Sequence, residues 1–224
     1  MCGRYTIRRL DGVRAYLDNL TPMFEEFSEL RPRYNVAPSQ HVPIIRMSHD
    51  GHVKATIATW GLIPCWAKEM PKTKPINCRC ETVATSGMFR QPFAKRRCLM
   101  PADGFYEWQG AKPPKQPLFI HKPNDEPFCF AGIWERWKAP DADEPIETCS
   151  LITTTPNAVM KPIHSRMPVI LHKKDLARWL DPKTTPDEAM AMLKPYDGAL
   201  EAYPVSTLVN KPANDKPELV EREE

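Results

Sequence analysis

The chain has 224 residues, 42% hydrophobic and 26% charged, with a formal net charge of +3. That is the profile of an ordinary globular protein, and a charge this small does not by itself announce nucleic-acid binding. No apolar run approaches the roughly 20 residues that cross a bilayer, and no basic-then-apolar leader opens the chain, so a cytosolic protein without membrane association is expected.

The chain begins Met1-Cys2-Gly3-Arg4. The small Cys2 side chain favours removal of the initiator Met, which would place an amine and a thiol on adjacent carbons. Their ordinary pKa values are about 7.7–8.0 and about 8.5, so a minority of each is deprotonated near neutrality. Such a 1,2-aminothiol either attacks an acyl carbon, as N-terminal-nucleophile hydrolases do, or condenses with an aldehyde and closes a thiazolidine. Cys2 alone favours the plainer reading, a buried or inert cysteine after a chance Met-Cys start.

Leu10, Val13, Leu17 and Leu20 recur at helical spacing, with Asp11 as a candidate cap and Thr21-Pro22 as the stop. Phe24, Phe27 and Leu30 suggest another short turn. Residues 33–40 read as a strand leading into a loop. Residues 42–47 and 53–60 form β-rich runs around an Asp50-Gly51 turn, the signature of a hairpin. The hairpin delivers a loop containing Trp60 and Trp66.

A short strand is expected at 76–81. Its Cys78-x-Cys80 pair has the wrong spacing for zinc, and two small apolar side chains on one strand face are the simpler reading. Seven scattered cysteines, an odd count, argue against a disulfide framework and for a reducing compartment. Residues 82–90 suggest a turn or short helix. Strands follow at 98–101, 105–109, 118–121, 128–134, 149–154 and 169–171. In the 105–109 strand, Glu107 shares a face with Phe105 and Gln109.

Helices are expected at 175–180 and after Thr185-Pro186-Asp187-Glu188, a capping box with Pro at the first helical position. A last strand at 201–205 precedes a Pro- and charge-rich tail, either frayed or docked. Twenty-five prolines against nine glycines imply many ordered bends. Without repeats or linkers, one α+β domain built on antiparallel sheet covers 1–224, with a core at about 2–219 and a tail at 220–224.

Beyond Cys2, three features carry chemistry. Glu107 among Phe105, Tyr106 and Trp108 is either a desolvated general acid/base or a solvent-facing residue on an edge strand. His164 is either a proton shuttle or an ordinary loop histidine. Asn77 beside Arg79 supplies either ligand contacts or an internal hydrogen-bond network. A further question is whether Arg4, Arg33, Arg79, Lys95, Arg96, Arg97 and Arg166 gather on one face.

Six blocks stand in one order: Cys2-Gly3-Arg4-Tyr5, Arg33-Tyr34-Asn35-Val36-Ala37-Pro38, Trp60-Gly61-Leu62-Ile63-Pro64, Asn77-x-Arg79-x-Glu81-Thr82, Pro101-Ala102-Asp103-Gly104-Phe105-Tyr106-Glu107-Trp108, and Ile163-His164-x-Arg166-Met167-Pro168. From Cys2 to about Leu219 the chain resembles the SOS-response-associated peptidase (SRAP) family of abasic-site DNA–protein crosslinking proteins. The resemblance implies a β pseudo-barrel with flanking helices and no cofactor or metal. It also implies a monomer, nucleoid-associated when bound to DNA.

The implied partner is single-stranded DNA carrying an abasic site, including at single-to-double-strand junctions. The implied chemistry is a Schiff base from Cys2, closed to a thiazolidine. By the same resemblance Glu107 is the acid/base, His164 assists proton transfer and crosslink reversal, and Asn77 orients Cys2 and the opened sugar. Arg4, Arg79 and Arg166 would contact phosphate or sugar, and Trp66 would stack on a base. Ala67 stands where many members carry a second aromatic, and Gly87 where some carry a basic residue. Both departures bear on DNA binding rather than on crosslinking. The competing readings are a cysteine-type peptidase or amidase acting through Cys2, with removal of Met1 as its narrowest form, and a non-covalent single-strand binder.

Overall fold

The computed structural model describes residues 2–20 and 30–223. The chain opens with strand β1 (Tyr5–Ile7), helix α1 (Leu10–Leu17) and strand β2 (Arg33–Val36). Helix α1 buries Val13 and Leu17, as its spacing requires, but ends before Leu20. Arg9, not Asp11, is its N-cap. Asp11 lies in the first turn and pairs with Arg14 at 3.1 Å. The turn expected around Phe24 and Phe27 lies outside the described residues.

The hairpin is strand β3 (His41–Met47) and strand β4 (Val53–Trp60), in register from His41↔Thr59 to Met47↔Val53. Strand β5 (Asn77–Arg79) is shorter than expected, because helix α2 (Cys80–Val83) begins at Cys80. Cys78 and Cys80 therefore do not share a strand face, although both are buried. Helix α3 (Arg90–Lys95) precedes strands β6 (Arg97–Ala102), β7 (Gly104–Gln109), β8 (Gln116–His121), β9 (Phe128–Trp137), β10 (Ile146–Thr154), β11 (Met167–Pro168) and β12 (Ile170–Leu171). Helices α4 (Leu176–Leu180) and α5 (Pro186–Ala191) and strand β13 (Glu201–Pro204) complete the order. Helix α4 is entered through a 3-10 turn at Lys173–Asp175. The capping box on α5 forms in full: the Thr185 hydroxyl accepts from the Glu188 amide, and the Glu188 carboxylate accepts from the Thr185 amide.

The architecture follows from how β10 is paired. It runs antiparallel to β9 and parallel to β4, while β4 pairs with β3, β3 with β6, and β6 with β9. That circuit closes a five-stranded barrel, mostly antiparallel, with helices at its flanks. Beyond the end of β4, β10 also carries β5 in parallel and β11 in antiparallel pairing. A second sheet, in the order β13-β8-β7-β1-β2, packs against the barrel. Aromatic side chains join the layers: Tyr5 meets Trp60 and Phe130 edge-on at 5.3 and 5.8 Å, and Phe105 meets Phe130 at 6.0 Å. Full burial of side chains this large contributes on the order of 2–3 kcal/mol each. Gly104 is required where β7 begins, because a Cβ there would lie 2.1 Å from the Phe119 ring.

The C-terminal segment is docked. Leu219 is buried, the Tyr203 hydroxyl donates to the Val220 carbonyl, and the Glu223 amide donates to the Pro204 carbonyl. Buried Asn35 on β2 anchors this segment by donating to the carbonyls of Val209, Lys211 and Asn214 at 2.8–3.1 Å. Its oxygen accepts from Arg4. Replacing Asn35 with Ala strands these carbonyls and should destabilise the protein by roughly 2–3 kcal/mol. Thermal melting should record that loss, and limited proteolysis should cut the 206–215 segment faster than in the parent.

Candidate active site around Cys2

The segment that carries Cys2 is placed by β1. This strand lies between β2 and β7, with Tyr5 opposite Phe105 and Thr6 opposite Gly104. The Tyr106 amide donates to the Arg4 carbonyl at 3.0 Å. Continuing that antiparallel register sets Gly3 across from Glu107, so Cys2 enters beside the carboxylate. Cys2 is buried, its thiol donates to the Arg4 carbonyl at 3.7 Å, and its own carbonyl accepts from Asn77 Nδ2 at 2.8 Å. The Asn77 Oδ1 is enclosed without a hydrogen-bond partner among the described residues.

Glu107 is 2% exposed on a strand flanked by β1 and β8. The solvent-facing, edge-strand reading of Glu107 is thereby excluded. Burial, and then the negative charge of Glu107, push the Cys2 thiol well above the ordinary thiol range. The thiol is therefore held protonated through neutral pH.

The second half of the site hangs on β10, where Asn77 pairs with Leu151, Arg79 with Thr153, and Met167 with Thr154. Arg166 forms a two-pronged pair with Glu81 at 2.6 and 2.9 Å and donates to the Thr153 carbonyl at 2.7 Å. Those bonds hold the Glu81 carboxyl down to about 2. The depressed value means the pair forms above the ordinary carboxylate range and is lost only as pH falls through about 2. It therefore persists throughout the range in which a histidine titrates.

The Arg166 amide donates to His164 Nδ1 at 3.0 Å, which leaves the neutral ring proton on Nε2. The Arg166 carbonyl lies 3.2 Å from the same nitrogen and would accept from it once the ring is protonated. Gln109 ties this loop to β7 by donating to the Pro162 carbonyl at 3.0 Å.

The loop after β4 carries Trp66, which is 65% exposed. The loop itself is pinned: Trp60 Nε1 donates to the Ile76 carbonyl, Gly61 N to Cys149 O, and Trp137 Nε1 to Ala67 O at 2.7 Å. Gly61 turns the chain at φ +141°, a conformation that favours glycine. Arg79 is exposed and makes no ion pair among the described residues. At Gly87 an added Cβ would meet no atom within 4 Å.

The fold thus brings Cys2, Asn77 and Glu107 together and ties the His164 loop to the strand bearing Glu107. Arg4 is placed differently from Arg79. Its guanidinium donates to Asn35 Oδ1 and to the Val209 and Asn210 carbonyls, and lies 6.0 Å from the Trp108 ring centroid. Its donors face the C-terminal segment. Sequence reasoning passed over Asn35 and Glu81, although both stand inside the quoted blocks. It also passed over Gln109, although that residue shares the face of Glu107. No group of three or more His, Cys, Asp or Glu among the described residues could hold a metal. No helix among them is long and apolar enough to cross a membrane.

Glu107→Gln removes a negative charge beside Cys2, so the thiol should titrate lower. Peptide-level mass spectrometry of alkylation against pH should show Cys2 reacting at lower pH than in the parent. An unchanged profile would mean that Glu107 does not control this thiol.

The match to known proteins extends over almost the whole chain. Residues 1–212 match the SOS response associated peptidase (SRAP) family. The abasic site processing protein YoqW of Bacillus subtilis (strain 168) is 44% identical over 227 residues, covering 99% of each chain. The abasic site processing protein HMCES of Gallus gallus is 33% identical over 258 residues, covering 97% of this chain and 76% of the relative. A crystal structure of a protein from Bacteroides thetaiotaomicron superposes with a TM-score of 0.85 at 29% identity, covering 99% of this chain and all of the other. Family match, relatives and architecture agree: the chain belongs to the SRAP family.

Proposed function

We propose that this protein senses abasic sites in single-stranded DNA and crosslinks to them through Cys2. The observation that carries the reading is the enclosure of Cys2 beside Glu107 with its carbonyl held by Asn77. The relatives' name, abasic site processing protein, supports the same substrate.

The chemistry follows from the groups present. Hydrolysis of the Met1–Cys2 amide, with water adding across the C–N bond, releases Met and bares the amine. An abasic deoxyribose equilibrates with an open-chain aldehyde, and Glu107 assists that opening by proton transfer. The Cys2 amine adds to C1′ and loses water to form an imine. The thiol sulfur then bonds to C1′ while its proton passes to nitrogen, closing a thiazolidine. An imine left open would acidify C2′ and invite β-elimination with strand cleavage, and ring closure removes that path.

A thiol kept protonated by burial suits this order, because the amine reacts first and the sulfur second. His164, with Nδ1 held by the Arg166 amide, leaves Nε2 as the ring nitrogen that can assist proton transfer. The Asn77 Oδ1 offers an acceptor to the opened sugar. Arg79 and Arg166 border the site as phosphate contacts and Trp66 as a stacking surface. Arg4 contributes by holding Asn35 and the C-terminal segment against β1.

Incubated with a single-stranded oligonucleotide bearing one abasic site, the parent should give a heat-stable slow band on a denaturing gel, and an intact mass lacking Met1. Cys2→Ala should abolish the band, and Glu107→Gln should slow its formation by on the order of 10²-fold. A band that persists in Cys2→Ala would overturn the proposal. Peptide turnover without DNA would move the assignment to a hydrolase, and salt-reversible binding unaffected by Cys2→Ala to a non-covalent binder. Gly87→Arg has open space to fill and should strengthen single-strand binding, steepening the dependence of log affinity on log salt by about 0.7.

A further inference from the structure

The cations singled out in the sequence do not gather on one face. Arg79 and Arg166 flank the far end of β10, whereas Lys95, Arg96 and Arg97 line a cleft of about 530 Å³ at the opposite end of the barrel. This cleft lies beside the β3–β4 turn and also takes in Arg46, Lys54 and Arg136. Its positive charge is only partly neutralised. Glu147 pairs with Arg46, and Glu135 pairs with Arg96 at 2.7 Å. Lys54, Lys95 and Arg136 make no ion pair among the described residues.

The buried Arg97 spends its donors on the carbonyls of Phe93, Ala94, Trp179, Asp181 and Thr184, and the Asp181 carboxylate acts on it only through space, without a hydrogen bond to it. Carbonyls satisfy its hydrogen bonds but leave its unit charge in place. A buried cation that Asp181 offsets only in part, set in a low-dielectric wall, projects its field into the cleft. The Arg46 guanidinium carbon lies over the Trp134 ring, 4.1 Å from its centroid, which seats the cation at the cleft wall.

We propose that this cleft is a second DNA contact, binding the sugar–phosphate backbone of the strand that flanks the lesion held at Cys2. It rests on the DNA-processing reading above. From Glu147 to Leu151, whose partner Asn77 holds Cys2, β10 advances roughly 13 Å, at ~3.3 Å per residue. At ~3.4 Å per nucleotide step that is roughly four nucleotides of a stacked strand. A lining of guanidinium and ammonium groups, with Arg46, Lys54, Lys95, Arg96 and Arg136 on one wall or another, suits a run of phosphates.

The test is a salt series on undamaged single-stranded DNA of about 25 nucleotides, longer than the roughly 4–16 that one binding fold covers. In the triple variant Lys54→Ala, Lys95→Ala, Arg136→Ala, the slope of log affinity against log salt should be shallower by about 2, at ~0.7 per lost phosphate contact. In the parent, the same DNA should protect Lys54 and Lys95 from acetylation. Crosslinking to an abasic oligonucleotide of about three nucleotides, too short to reach the cleft from Cys2, should be equal in both proteins. An unchanged slope, or unprotected lysines, overturns the second contact. If the parent itself fails to crosslink abasic DNA, the proposed function falls. The cleft is then still judged by the undamaged strand.

Discussion

The hydrogen bonds that pair β1 with β7 and β2 are the constraint on which the rest depends. A chain end is where backbone order is ordinarily weakest, and this fold places its candidate nucleophile, Cys2, there. Three residues of strand would not hold Cys2 alone, since each backbone bond adds only about 1 kcal/mol. Both ends of β1 are therefore clamped. At its exit the buried Asp103 carboxylate accepts from the Thr6 hydroxyl, the Arg8 and Arg9 amides and the Arg8 side chain. At its entry Asn77 grips the Cys2 carbonyl. Beneath it, Arg4 reaches through Asn35 to the C-terminal segment, so the two ends of the chain stabilise one another.

That rigidity has an electrostatic consequence. Enclosing Cys2 next to Glu107 disfavours the thiolate, the form most cysteine nucleophiles depend on. The arrangement is poor for a protease that attacks with a pre-formed thiolate. It is well matched to chemistry in which an amine reacts first and a neighbouring acid/base moves protons. The Glu81–Arg166 pair fits the same picture, since it anchors the His164 loop without itself titrating near neutrality.

What was legible in the sequence was what local pattern determines. The β3–β4 hairpin was announced by Asp50-Gly51 between alternating runs, and the α5 cap by Thr185 and Glu188. The Glu107–Gln109 face was announced by strand periodicity. The end of β5 at Arg79 was missed because Cys80 breaks no local rule. The helix that starts there answers to burial of Cys80 and Val83. Barrel closure was illegible for a deeper reason. The parallel contacts of β10 with β4 and β5 join segments some 70–90 residues apart, and no periodicity encodes such pairing. The resemblance to a known family supplied that architecture where periodicity could not. Which carboxylate or carbonyl claims each arginine was equally hidden, because partners such as Glu81, Val209 and Asp181 lie far from Arg166, Arg4 and Arg97 in the chain.

The arginines then separate by the chemistry of their partners. Arg8 meets carboxylates at Asp103 and Asp125, so its charge is cancelled and its role is to tie β1 down. Arg166 is neutralised by Glu81, yet that carboxylate is half exposed and a phosphate can compete for the same fork. Arg97 hydrogen-bonds carbonyls alone, and the Asp181 carboxylate offsets its charge only through space. Burying a cation is unfavourable without a counter-charge, and five acceptors offset that cost only in part. A fold under no constraint but stability would do better with a hydrophobic side chain at that depth. The positive field at the cleft is the property that such a replacement would forfeit, and an anionic strand is the ligand that would make use of it.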